Sequence, residues 1–377
     1  VLHYQPKINM RSGEVIGAEA LIRWQHPDQG LLAPVEFLPP IAQHPLEVEL
    51  GRWVIDTALT QIAAWQDAGV DLPVSVNISG FHLQQAGFLD ELRALLAAHP
   101  NVPRGYLELE VLESSALEDI ALVSAVIDAS ATLGVSFALD DFGTGYSSLT
   151  YLKRLPAQVL KIDQSFVRDM LQDSDDLAIL EGILGLATAF RRRAIAEGVE
   201  TVAHGETLLR LGCDLGQGYG IARPMAAADL PAWRQRWRPD PRWAHAHCLD
   251  RELMPVLIAG VEHRGWIVAL GEHLDGRRDA PPPLDHHQCR FGQWLDKTIH
   301  QPRHAATFAT IETLHLRVHA LAADLLKRRS QGHDVEALAG MAELHALWDA
   351  LLVHLEYLLK DDPRSLAPSS GGGSNCR

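Results

Sequence analysis

Positive charge is scarce in this chain: 33 lysines and arginines face 48 aspartates and glutamates, a formal net charge of −15. That balance excludes a surface that coats DNA or RNA, although local arginines, lysines or metal ions can still hold a small phosphate-bearing substrate. Cysteine is rarer still. Cys213, Cys248, Cys289 and Cys376 stand without paired spacing, so no disulfide framework is expected, and a reducing, cytoplasmic compartment suits the chain. No apolar run reaches the roughly 18 residues that a membrane helix needs. No signal peptide is recognisable, and the opening VLHYQPKI already reads as a strand. A longer protein is therefore expected upstream, with a sensor domain or a membrane tether in the absent part. A glycine-rich dinucleotide fingerprint after the first strand is also missing, which weakens an open doubly wound sheet.

What is present is rhythm. Up to about residue 238, strand-like runs such as LHYQPKI, PVSVNIS, YLELEVLE, VSFALDD, QVLKID, RRAIAEGVE and CDLGQGYG alternate with helical stretches such as FLDELRALLAAH. Alternating β and α units imply a parallel sheet. Seven or eight such units in this length favour a closed (β/α)8 TIM-like barrel over residues 1–238. Pro239 and Pro241 then mark a hinge over 239–247. Beyond it the strand signals vanish, and 13 of the 19 histidines fall between His245 and His354. Long 3.6-residue periodicities in LDRELMPVLIAGVEHRGWIVALGEHL, HAATFATIETLHLRVHALAADLLKRR and DVEALAGMAELHALWDALLVHLEYLLK, with a short one after DHHQCRFGQWL, predict an all-α four-helix bundle over 248–360. Residues 361–377 have linker composition and are expected to be disordered.

The stretch SFALDDFGTGYSSL raises a question of charge, because two neighbouring carboxylates, Asp140 and Asp141, end an apolar strand. Like charges side by side force one towards protonation unless a cation lies between them. Acidic and amide residues recur at other predicted strand ends: Glu19, Asn77, Glu110 and Glu113, Lys161 with Asp163, Glu197 with Glu200, and Gln217. Any one of them is most simply a solvated loop residue or a helix cap. In a barrel, however, strand C-termini converge on one face. So many hard oxygen donors suit Mg²⁺ or Mn²⁺, with enough ligands for two ions sharing a bridging carboxylate. Two such ions activate water and neutralise charge on a phosphodiester.

In order along the chain, Tyr4-Gln5-Pro6, Glu19-Ala20-Leu21 with Arg23, Val76-Asn77, Glu110 with Glu113, Asp140 to Gly145, Lys161-Ile162-Asp163, Ala196 to Glu200 and Gln217-Gly218-Tyr219 closely resemble the EAL-domain cyclic di-GMP phosphodiesterases. The resemblance covers residues 1 to about 235. It implies hydrolysis of cyclic di-GMP to linear 5′-pGpG with two Mg²⁺ or Mn²⁺ ions per barrel. Glu19, Asn77, Glu110 and Asp140 would hold one ion, and Asp140 would bridge to a second held by Asp141 and Glu197. Lys161 would orient or deprotonate the attacking water, and Gln217 would position a water near the second ion. Arg23 would contact phosphate and Gln5 the guanine side. Glu113 and Glu200 would be supporting glutamates, the first anchoring the loop after Asp141, while Asp163 has a plainer supporting role. Leu112, where a threonine is common, and Gln43-His44-Pro45 depart from the pattern at positions that are not ligands. Two rivals stay open: a receptor that binds cyclic di-GMP without cleaving it and signals to a partner, and a general metallophosphatase.

In the second half, His315 and His319 are four residues apart on one helix face with Ile311, Val318 and Ala322, so two imidazoles face a core. His263 in His-x-x-Trp and Cys289 in Cys-Arg-Phe-Gly-x-Trp-Leu complete three imidazoles and one thiolate, a closed tetrahedral zinc set. These motifs resemble the chemoreceptor zinc-binding domain, known as CZB, over roughly 248–360. The resemblance implies one Zn²⁺ per bundle, zinc or redox sensing that regulates the barrel, and pairing as a homodimer. His286, His287, His345 and His354 are substitute ligands, and Trp266 and Trp294 are read as packing.

Overall fold

The computed structural model describes residues 1–145, 149–249, 253–298 and 305–360. The expected disordered tail, 361–377, lies outside the described residues. Two compact units divide the chain. One comprises residues 1–168 and 179–246, the other residues 169–178 and those from 247 onward.

The first unit is a closed barrel of eight strands: β1 (Leu2–Asn9), β2 (Val15–Ile22), β5 (Val74–Asn77), β6 (Leu107–Leu112), β7 (Ser136–Phe142), β8 (Val159–Ile162), β9 (Arg193–Ala196) and β10 (Leu215–Gly216). Closure comes from β10 returning to β1, Ile8 opposite Gly216. A small hairpin, β3 (Trp24–His26) with β4 (Gly30–Leu32), stands apart, and β11 (Met225–Ala226) pairs with the outer end of β1.

The barrel departs in one detail from a uniform run of parallel βα units: β1 is antiparallel to both β2 and β10. The cause is local. Between Asn9 and Val15 the chain has no room for the dozen or more residues that a parallel crossover requires. It turns back through Gly13, whose φ of +74° is left-handed, while Asn9 Oδ1 accepts from the amides of Arg11 and Ser12 at 3.0 Å each.

Strand alternation decides what enters the barrel. Leu107, Leu109 and Val111 of β6 face the helices, so Glu108 and Glu110 face inward, both buried. The same alternation on β1 turns Gln5 and Lys7 inward while Tyr4 packs edge-on against Trp65 at 4.8 Å. Ala138, Val159 and Ile195 form a buried apolar cluster with Leu215 against it. Ala138, Val159 and Ile195 lie two positions before Asp140, Lys161 and Glu197, so along β7, β8 and β9 the barrel interior changes from apolar to charged.

The segment expected to be a hinge, 239–247, belongs for most of its length to the barrel unit. Trp237 Nε1 donates to Gly13 O (3.1 Å), and Pro239 covers Gly13 so closely that a Cβ there would lie 2.6 Å from its ring. Helix Pro241–His245 buries Trp243, 3% exposed, against Gly205, with Nε1 donating to Val202 O at 2.9 Å. The two prolines stop one helix, but three tryptophans fasten the chain to the barrel.

The second unit contains the long helices Met254–Leu274 and Ala305–Ser330 and the shorter Arg290–Thr298, as expected, while the stretch expected to be one last helix is divided at Gly340 into Asp334–Ala339 and Met341–Lys360. Ile267, Leu270, Phe291, Ile311, Val318, Leu344 and Leu351 share its core. Among the described residues, no helix is long and apolar enough to cross a membrane.

Trp243→Ala should destabilise the barrel by about 3 kcal/mol, because it removes a large buried side chain and leaves a cavity. Denaturant unfolding of the full chain, followed by a probe in the barrel, checks this. A free hinge would give no change.

Candidate functional site

Seven strands, β2 and β5 to β10, bring together at one mouth of the barrel residues far apart in sequence. Ligand oxygens of Glu19, Glu110 and Asp140 lie within 4.8 Å of one another, and so do those of Asp140, Asp141 and Glu197. Asp140 is common to both groups. At their centre Lys161, 1% exposed, places Nζ 2.5 Å from Glu110 Oε2, 2.7 Å from Glu197 Oε1, 3.1 Å from Asp140 Oδ1 and 3.4 Å from Glu19 Oε2.

One ammonium cannot satisfy so many carboxylates, and their proton affinities diverge. Burial, with the charge of Glu110 added, pushes Glu19 up to about 7. Burial pushes Glu197 up to about 8 despite Lys161. Asp140 and Asp141 are raised as well, both mainly by burial, with the neighbouring charge of Asp163 adding to the effect on Asp141. Burial would raise Glu110 too, but Lys161 and Lys7 outweigh it and hold it down at about 2. Burial opposes charge on Lys161, yet Glu110, Glu19, Glu197 and Asp140 keep its pKa well above the usual lysine value. The site is therefore short of positive charge, as the donor set of a cation site should be.

Consecutive strand residues normally point to opposite faces. Asp140 and Asp141 escape that rule because the β7–β8 register shifts between Leu139 and Phe142, and Asp141 adopts a left-handed φ of +51°. The bulge turns both carboxylates to one pocket. Glu113 holds the following loop by accepting from Gly143 N at 2.8 Å. Gly143, φ +104°, has no space for a side chain, since a Cβ would lie 2.8 Å from Ile183 and 2.9 Å from Phe166.

Amides orient the carboxylates. Asn77 Nδ2 donates to Glu19 Oε1 at 2.7 Å, and Gln217 Nε2 donates to Glu19 Oε2 at 2.6 Å. Gln217 Oε1 is buried without a hydrogen-bond partner among the described residues. Gln5 has both ends engaged within the barrel, donating to Ala222 O (2.9 Å) and accepting from Gln217 (3.0 Å). Asp163 Oδ1 accepts from the amide and hydroxyl of Ser165, capping the next short helix.

Two expected residues lie outside the carboxylate groups. Arg23 lines a cavity of about 510 Å³ with Trp24, Phe37, Leu50 and Trp53. Glu200 is exposed, and its amide donates to His204 Nδ1 at 3.2 Å. One charged residue was missed altogether: Lys7, whose ammonium contacts Glu108 and Glu110. Its only sequence signal is its place two residues after Gln5, on the inward face of β1.

In the helical unit, His263, Cys289, His315 and His319 bring one ligand atom each within 4.8 Å of the others. His315 Nε2 is 3.1 Å from His263 Nε2 and 3.4 Å from Cys289 Sγ. His263 Nδ1 faces Ala259 O at 3.0 Å and His319 Nδ1 faces Leu284 O at 2.8 Å. Those carbonyls fix both rings with Nε2 inward and bare of hydrogen, the form that binds a metal. His319 Nε2 is buried and has no partner among the described residues. Burial lowers all three histidines, His263 to about 4 and His315 to about 2, so they stay neutral. Burial raises the Cys289 thiol, while Gly292 N donates to its Sγ at 3.2 Å, as at a helix N-terminus. Three neutral imidazoles and one thiol fit zinc. The substitute His286 stands further off, its ring 6.1 Å from that of His315, and His345 is exposed with Nδ1 on Met341 O. Trp266 packs against His319 and donates to Pro283 O.

Two protein families match the chain, one in each part. The EAL domain family matches residues 1–224, and the chemoreceptor zinc-binding domain family matches residues 263–326. The bifunctional diguanylate cyclase/cyclic di-GMP phosphodiesterase MucR of Pseudomonas aeruginosa is 46% identical over 233 residues, 62% of this chain and 34% of the relative. The cyclic di-GMP phosphodiesterase PdeR of Escherichia coli is 40% identical over 237 residues, 63% of this chain and 36% of the relative. The chain thus spans about a third of the length of these curated relatives. Among solved structures, the PaMucR phosphodiesterase in complex with c-di-GMP superposes with a TM-score of 0.59 at 45% identity, covering 61% of this chain and 93% of that one. The EAL enzyme Bd1971, in its cAMP- and cyclic-di-GMP-bound form, gives 0.58 at 33% identity, covering 61% and 63%. With more than half of its residues matched and every strand-end motif present in order, the chain belongs to the EAL-domain family and carries a chemoreceptor zinc-binding domain in its helical part.

Proposed function

We propose that the barrel hydrolyses one phosphodiester bond of cyclic di-GMP to give linear 5′-pGpG, and that the helical domain binds one zinc and regulates this activity. A single observation carries the first part: two carboxylate groups share Asp140 around the buried Lys161. Glu19, Asn77, Glu110 and Asp140 would hold one Mg²⁺ or Mn²⁺, and Asp140, Asp141 and Glu197 the other. When bound, such a pair of ions supplies Lewis acidity and an activated water.

The remaining roles fall to the chain itself. Lys161, in contact with the four carboxylates that would hold the ions, is placed to orient or deprotonate the attacking water. Gln217, held by Gln5 and Glu19, offers its unpaired Oε1 to a water. Arg23 offers its guanidinium to substrate phosphate beside an aromatic cavity that suits a purine. Glu113 and Glu200 support the site indirectly, Glu113 through the Gly143 loop. Zinc occupancy would couple helix Met254–Leu274, Cys289 at the start of the next helix, and helix Ala305–Ser330, since their ligands are satisfied together.

With Mg²⁺, the full chain should convert cyclic di-GMP to 5′-pGpG, read by chromatography of the nucleotides. Glu19→Ala should abolish turnover without loss of secondary structure, and Lys161→Ala should lower kcat by about 10²-fold or more with substrate still bound. Tight binding with no product from the parent would instead make the protein a receptor. Comparable turnover of simple phosphoesters would make it a general phosphatase.

Metal affinity should depend on pH with a definite sign. Glu19 and Glu197, raised to about 7 and about 8, are largely protonated at pH 6 and must lose protons to ligate. Apparent Mg²⁺ affinity should therefore climb from about pH 6 to about pH 8.5 and then level off. Titration at fixed ionic strength checks this; a flat profile would contradict these two residues as ligands.

The parent should contain about one zinc per chain, and Cys289→Ala and His315→Ala should lose most of it. Elemental analysis alongside turnover separates the outcomes. Zinc retained by both variants would refute the ligand set, and zinc lost with unchanged turnover would refute regulation.

A further inference from the structure

Lys7 is a buried charge that neither metal group uses. It lies on β1, 5% exposed, and its side chain passes Gly17 of β2, where an added Cβ would sit 3.5 Å from Lys7 Cε. Its ammonium donates to Ser75 Oγ on β5 (2.9 Å) and Glu108 Oε1 on β6 (2.8 Å), and reaches Glu110 Oε1 at 3.4 Å. Glu110 therefore has an ammonium on each oxygen, Lys7 on Oε1 and Lys161 on Oε2. A carboxylate held this way cannot turn about its Cγ–Cδ bond without losing a charge-assisted contact. Glu110 is fully buried, so water has no access to replace that contact. Glu108 meanwhile balances the charge of Lys7, which leaves the negative charge of Glu110 directed at the pocket.

We propose that Lys7 is a positioning residue for the barrel's metal site: by holding Glu110 Oε1 it keeps Oε2 presented to the group that Glu110 forms with Glu19 and Asp140. This rests on the metal-site reading above. Two accounts of Lys7 predict opposite signs. As a mere cation near the site, Lys7 repels a divalent ion, and removing it would tighten binding. As the group that fixes Glu110, its removal weakens binding.

The deciding variant is Lys7→Met/Glu108→Gln, which deletes one positive and one negative charge and leaves net charge unchanged. Mn²⁺ binding to the zinc-loaded full chain is measured by equilibrium dialysis, with Asp140→Ala, which removes the ligand common to both groups, defining the signal that does not come from the barrel. Thermal unfolding and circular dichroism are followed in parallel. The expected result is a native fold with barrel Mn²⁺ affinity reduced about tenfold to a hundredfold, the range for partners of metal ligands. At saturating Mn²⁺, turnover should return to within a few-fold of the parent, because the ligand is misplaced and not removed. Affinity equal to or tighter than the parent's in the folded variant would overturn the proposal. Should the double variant fail to fold, Lys7→Arg decides, since it keeps the charge but changes where the donors lie: weakening of about threefold or more supports the role, and unchanged affinity overturns it. A parent that binds no Mn²⁺ in the barrel would refute the metal site itself, and this inference with it.

Discussion

Four carboxylates within 3.4 Å of one buried ammonium set the terms for the whole barrel mouth. Removing that many charges from water is costly, and a single lysine offsets only part of the cost. The strain appears as proton affinity: Glu19 and Glu197 are pushed up while Glu110, with a second ammonium behind it, stays down. Divalent cations are the simplest remedy, because they favour the ionised form of every donor at once. The amides of Asn77 and Gln217 then act as orienting donors for Glu19.

Backbone geometry is what makes such crowding possible. A regular strand would send Asp140 and Asp141 to opposite faces. The bulge in β7 and the left-handed Asp141 bring them together, and the glycine at 143 lets the loop leave at an angle no side chain would allow. The helical domain depends on a similar close approach. A Cβ on Gly292 would lie 1.8 Å from His286 O, so only glycine lets the chain tighten around Cys289 and aim an amide at its sulfur.

The two sites divide the chemistry by donor type. Hard carboxylates at strand ends gather charge and suit oxygen-loving ions, whereas neutral imidazoles and one thiol in a helical core suit a softer metal. Burial works on both, with opposite results. It drives the barrel carboxylates towards protonation, which competes with a metal, and keeps the bundle histidines unprotonated, which favours one.

Periodicity alone determined the alternation of strands and helices, the change of architecture after the barrel, and the placing of Glu110, Asp140, Lys161 and Glu197 in or just after barrel strands, because alternation and helix pitch are local properties written residue by residue. The His-x-x-x-His spacing likewise placed His315 and His319 on one face. Tertiary structure decided the rest. The antiparallel β1 follows from a turn too short for a crossover. The attachment of 239–246 to the barrel follows from tryptophans that meet Gly13 and Gly205, more than 30 positions away in sequence. Gln5 supports Gln217 because barrel closure brings β1 beside the chain after β10. Lys7 stayed invisible for the same reason: a lysine in a strand reads as surface until closure shows that its ammonium ends among Ser75, Glu108 and Glu110, contributed by strands that only the closed barrel makes its neighbours.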